Sequence, residues 1–174
     1  MNDNTMYADV TSLPIREDFG SHMLTAIDHS KASDRPFFIL VLQIENSQSF
    51  KKRNSPSVVD AFFKELYHLV RSAVHQSQFV GPFKNGLGLV FDAVDVGHVD
   101  SIAKKLAGLV QNVIRAGKYN DLTGRWSDLI YQFLHPNTPG MIFPQVGWAI
   151  YPRDGVDPKA LLTRALYHIV EQAR

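Results

Sequence analysis

The chain has 174 residues, 45% of them hydrophobic and 20% charged, which suffices to bury the core of one globular domain without staples. Lysine and arginine total 18 against 17 aspartate and glutamate, a net charge of +1, so no global field draws the chain to DNA or an anionic membrane. The absence of cysteine excludes disulfides, thiolate metal sites and cysteine nucleophiles; with no apolar run of membrane-spanning length and no secretory leader pattern, a cytoplasmic location is expected.

The apolar spacing of Phe19, Met23, Leu24 and Ile27 predicts a first helix over Arg16 to Ser30. The tetrapeptide Gly20-Ser21-His22-Met23, which tag cleavage can also leave behind, continues this spacing and is read as native chain. Phe37 to Ile44 is apolar without alternation, which predicts a central strand covered on both faces. Ser55-Pro56-Ser57 supplies helix-start residues, and Val59, Phe62, Phe63, Leu66, Leu69, Val70 and Val74 then repeat at helical spacing. Two apolar segments, Gln78 to Phe83 and Leu87 to Phe91, flank Asn85-Gly86 and predict a hairpin turning on that pair. Ile102, Leu106, Leu109, Val110, Val113 and Ile114 mark another helix, with Gly117 as its stop. Residues 119–144 read as an irregular insertion before the last strand, Gln145 to Tyr151. Asp157-Pro158 opens a final helix. The order helix, strand, helix, hairpin, helix, strand, helix predicts an α+β fold over residues 1–174, with a mostly antiparallel central sheet flanked by helices.

Three segments carry a family resemblance. "DVTSLPIREDF" (Asp9 to Phe19) resembles the opening of the GGDEF domain, the domain of bacterial diguanylate cyclases, and "VGWAIYPRDGVDPKALLTRA" (Val146 to Ala165) resembles its closing segment. The unit from Phe37 to Phe91 can be laid on the family pattern without a gap. The resemblance implies a nucleotide-cyclase palm-like fold. It places the signature turn on Lys84, Asn85, Gly86, Leu87 and Gly88. In active members acidic residues of that turn, together with an aspartate ending the central strand, hold two divalent metals on the triphosphate of GTP. Here the strand-end position is Gln43, the middle acid is Gly86 and the metal-binding glutamate is Leu87. The two guanine-reading positions fall on Lys51 and Asp60. Only Asp60 keeps the family residue, and an acid in the first turn of a helix also has an ordinary role beside the helix dipole. The product-binding motif lands on His75 through Gln78 without either charged anchor.

These departures imply a degenerate GGDEF domain with no cyclase activity and no cofactor or metal of its own. The expected role is regulatory or scaffolding, through a signalling protein partner or a homodimer, in a pathway related to cyclic di-GMP. The alternative is an effector that binds a guanine nucleotide in the old cleft through Lys51, Asp60 and Lys84. A rearranged ligand pair, Glu45 with Asp92, is the remaining route to an enzyme. The basic run Lys51-Lys52-Arg53 reads as a solvated loop or a phosphate contact. Trp126, Tyr131 and Phe133 in the insertion either cover the sheet or form the contact surface for a partner. The seven histidines show no ligand spacing with carboxylates.

Overall fold

The structure, a computed structural model, describes residues 19–74, 77–92, 96–115 and 142–172. Its core is a four-stranded antiparallel sheet in the order β2-β3-β1-β4. Strand β1 (Phe37–Glu45) is central, and every residue from Phe37 to Leu42 is buried, as expected of an uninterrupted apolar strand covered on both faces. It pairs with β3 (Gly86–Phe91) on one side and β4 (Phe143–Tyr151) on the other, and β3 pairs in turn with β2 (Phe79–Phe83).

Alternation along β1 divides the core in two. Phe38, Leu40, Leu42 and Ile44 face a cluster built with α3 (Pro56–Ala73) and α4 (Val99–Arg115); Phe37, Ile39 and Val41 face α1 (Phe19–Ser33) and α5 (Pro158–Gln172). The stripe predicted from Val59 to Val74 is the buried face of α3, where Phe62, Phe63, Leu66 and Val70 are enclosed. Met23 is 1% exposed in the middle of α1, so the Gly20–Met23 tetrapeptide is built into the fold.

Several boundaries differ from the sequence expectation. Helix α1 runs on to Ser33, and its expected start at residues 16–18 lies outside the described residues. Strand β4 begins at Phe143, so Phe143 and Pro144, expected in the insertion, instead pair with Glu45 and Ile44. A helix not anticipated, α2 (Ser47–Arg53), holds the basic run read as a loop. Its single buried ring, Phe50, packs 5.1 Å from Phe62. One apolar residue in seven gives no periodicity to read, which is why α2 escaped notice. Cations in its last turn complement the helix dipole.

The segment after β4 is closed by its own residues. Asp154 accepts a hydrogen bond from the Ile150 amide at 2.8 Å and pairs with Arg153 at 2.9 Å, and the Tyr151–Pro152 peptide is cis. Burial alone would push the Asp154 carboxyl up. The hydrogen bonds from Arg153 and the Ile150 amide, with the charges of Arg153 and Arg164, hold it below the usual carboxylate value. Asp157 caps α5 by accepting from the Ala160 amide at 2.9 Å.

Candidate functional site

The hairpin turns one residue earlier than its Asn-Gly pair suggests. Phe83 pairs with Gly86, leaving Lys84 and Asn85 as the two-residue connection, and Lys84 carries the positive φ of 50°. The reason lies in β1. A Cβ on Gly86 would stand 1.8 Å from the Leu42 carbonyl oxygen, so this glycine serves close strand approach, and the turn must form before it.

Register then decides what the signature positions can do. Gly86 lies opposite Gln43, and Leu87 lies opposite Leu42. Side chains of cross-strand partners leave the sheet on the same face, and successive residues alternate. Gln43 and Leu87 therefore point to opposite faces, and Leu87 is fully enclosed in the cluster under α3 and α4. Gly88, on the face opposite Leu87, meets α1: a Cβ there would stand 2.4 Å from the Phe19 ring, which fills this volume and stacks on Phe79 at 6.1 Å.

At the end of β1 a polar hollow of about 290 Å³ opens, lined by Gln43 to Gln48 together with Lys84 and Asn85. The fold thus brings Gln43, Lys84 and Asn85 together. It does not bring Lys51 or Asp60 into the lining. Lys51 places its ammonium 5.9 Å from the Phe63 ring centre, and Asp60 pairs with Lys64 at 2.8 Å. Asp60 is the fifth residue of α3 and lies beyond its first turn, so its ordinary role is this i,i+4 ion pair rather than the dipole. Gln78 donates its side-chain amide to Asp92 across the base of the β2–β3 hairpin. His75, Trp126, Tyr131 and Phe133 lie outside the described residues.

Glu45 and Asp92 are separated by the length of the sheet. Phe38 pairs with Phe91, so Asp92 lies beside the start of β1 while Glu45 ends it, about 25 Å away at ~3.3 Å per residue. They cannot share an ion. Asn46, Ser47 and Gln48 are the lining residues that sequence reasoning missed. The available signal was Asn46, a residue type that tolerates the left-handed conformation it adopts at φ 57°. The donors around the hollow are mainly carboxamides, with one hydroxyl, one carboxylate and one ammonium. A single carboxylate among neutral carboxamides, with an ammonium beside them, supplies too little negative charge for a pair of divalent metals, so this set does not fit the two held by active cyclases. Among the described residues no three His, Asp or Glu side chains gather as a metal cluster.

An antiparallel sheet in this strand order, with paired helices on each face and a short hairpin beside the central strand, is a fold found in GGDEF domains. The protein has that fold. It is similar to a truncated YfiN (TpbB) from Pseudomonas aeruginosa comprising only its GGDEF domain, with 17% identity over 95% of this chain and 88% of the other and a TM-score of 0.64. It is also similar to the GGDEF domain of DgcB from Caulobacter crescentus in complex with c-di-GMP, with 13% identity, 90% and 82% coverage and a TM-score of 0.63. The active GGEEF domain of a diguanylate cyclase from Vibrio cholerae aligns over 99% of this chain and 90% of its own, at 15% identity and a TM-score of 0.61. No protein-family model and no curated protein matches the chain. Among the described residues no helix is long and apolar enough to cross a membrane.

Proposed function

We propose that this chain is a GGDEF-fold regulatory or scaffold domain without diguanylate cyclase activity, working through protein contact in bacterial signalling connected with cyclic di-GMP. The observation that carries the reading is the state of the hairpin. Leu87 is wholly enclosed in the core on the face opposite Gln43, so the position of the metal-binding glutamate is a packing position here. Phosphoryl transfer from GTP requires metal ions to neutralise the developing charge and to activate the attacking hydroxyl. An amide, a glycine and an enclosed leucine supply no anchor for them. Purified protein incubated with GTP and magnesium or manganese is expected to yield no cyclic di-GMP above a no-enzyme blank, while an active GGDEF domain in the same buffer does. Product above the blank refutes the reading.

The polar hollow favours a second reading, a nucleotide effector. Lys84 on its rim and the carboxamides within it suit a ligand that needs hydrogen bonds without metal chemistry. Because Lys51 and Asp60 stand outside the lining, Lys84 and Gln43 are the residues on which this reading turns. Calorimetric titration with GTP and with cyclic di-GMP, each with and without magnesium, tests it: saturable heat lost on Lys84→Ala supports it, and no heat removes it. We further take residues 1–174 as one domain with an insertion, which requires a single cooperative unfolding transition.

A further inference from the structure

Where α3 ends, a pocket of about 160 Å³ opens between its last residues, Ala73 and Val74, the flank of α4 and the ring of Phe91 on β3. It is remote from the polar hollow, because Phe91 lies beside the start of β1 and Gln43 lies near its end. Helix periodicity sets what α4 contributes. At about 100° per residue, with Leu106 turned into the core, Ile102 and Leu109 stand roughly 40° and 60° to one side of it and Lys105 about 100° to the same side. Lys105 is thus the outermost residue of an otherwise apolar flank: Ile102 and Leu109 are half-buried, and Lys105 is exposed. Its aliphatic stem completes the wall and its ammonium stands at the mouth.

Among the described residues no acid lines this pocket. Asp100 is paired with Lys104 at 2.6 Å on another side of α4, and Asp92, next to Phe91, accepts from the side chain of Gln78. At the end of α3 the Val70 carbonyl accepts from the Val74 amide at 3.0 Å, and the Val74 carbonyl accepts from the amide and hydroxyl of Ser77 at 2.9 and 2.8 Å. These backbone acceptors need no donor from a ligand. The negative end of the α3 dipole lies on that side, so an anionic group is directed away from α3 and toward Lys105. Volume narrows the ligand further, since a cavity of about 150 Å³ admits one benzene ring. Phe91, stacked on Phe38 at 4.5 Å and 8°, supplies a flat aromatic wall. We propose that the pocket binds a small aromatic monocarboxylate, its ring between Phe91, Ala73 and the Ile102–Leu109 flank and its carboxylate on the Lys105 ammonium. One cation at the mouth matches one negative charge. A nucleotide is far too large for the space.

Benzoate is the probe, and benzamide is its neutral match in shape. Methyl NMR of the full chain reads Val74, Ile102, Leu106 and Leu109 directly. Benzoate is expected to shift these methyls saturably, with a Kd of about 1 mM as suits a ligand of one ring and one charge, and to leave Leu42 and Ile44, near the other end of β1, in place. Benzamide is expected to bind about tenfold more weakly. Lys105→Met keeps the bulk of the stem and removes the charge, on an exposed helix position that leaves folding intact. It is expected to weaken benzoate about tenfold and to leave benzamide unchanged. Ala73→Leu, a good helix former that fills the pocket from the end of α3, is expected to abolish both without lowering the urea midpoint. Cyclic di-GMP is expected to leave these methyls unmoved. The pocket uses no residue of the signature turn, so this titration and the GTP assay can fail separately. No saturable shift up to about 20 mM, equal affinity for benzoate and benzamide, benzoate binding indifferent to either substitution, or the same methyls moved by cyclic di-GMP overturns the proposal.

Discussion

Replacing Leu87 by glutamate, the residue type that the resemblance places at this position in active cyclases, separates a cleft position from a core position. Leu87 is 0% exposed, beside Leu42 and under α3 and α4. Removing the leucine forfeits about 2–3 kcal/mol of burial, and enclosing a carboxyl without a partner adds about 1–3 kcal/mol. The expected loss is thus about 3–6 kcal/mol, against the 5–15 kcal/mol typical of a whole domain. Urea unfolding followed by tryptophan fluorescence measures it, with Leu87→Met as a volume-conserving control costing under about 1.5 kcal/mol. Burial raises the pKa of the new glutamate, so its folded form holds the proton to higher pH than its unfolded form. The deficit is therefore smallest below about pH 4 and grows as pH rises above the ordinary glutamate value. If Leu87→Glu at pH 7 costs less than about 1 kcal/mol, the position is wet and the reasoning fails. It fails equally if Leu87→Glu combined with Gln43→Asp makes cyclic di-GMP.

Two further substitutions test the opposite face of the sheet and the closing turn. Gly88→Ala is expected to cost about 1–3 kcal/mol by overpacking the Phe19 ring, and Phe19→Leu in the same chain should recover part of that cost; strict additivity of the two in urea melts would show that ring and glycine do not share the volume. Asp154→Asn keeps the carboxamide oxygen for the Ile150 amide but loses the charged pairing with Arg153, at about 1–2 kcal/mol near neutral pH. The folded pKa of Asp154 is depressed, so its contribution is present above the unfolded carboxylate value and is lost as pH falls through the folded one; the gap between wild type and Asp154→Asn should close in acid, and a pH-independent gap would sink the assignment.

The elements that were legible are those whose burial is periodic or continuous. The stripe of α3 and the unbroken apolar run of β1 each had one physical reading, and the fold confirms both. The hairpin was legible as a hairpin but misplaced by a residue. Asn-Gly is a strong local turn signal, whereas the constraint that wins is tertiary: Gly86 must sit under the Leu42 carbonyl. Helix α2 was hidden because it is anchored by one ring, Phe50, and no pattern rule sees a single contact. The same limit applied to the candidate site. The places of Lys51 and Asp60 followed from the family resemblance, and whether either side chain reaches the hollow depends on helix packing that residue types do not encode. Asp60 is engaged with Lys64, one turn further along α3, a pairing that its i,i+4 spacing did allow.

The β2–β3 hairpin is held from both faces of the sheet by apolar packing. Leu87, Leu89 and Phe91 fasten β3 to the cluster under α3 and α4. Gly88 and Val90 fasten its other face to the aromatic group around Phe19, Phe79 and Phe83, whose rings stand 5.3–6.1 Å apart. Leu87 is enclosed in the core, while Lys84 and Asn85 at the turn line the polar hollow.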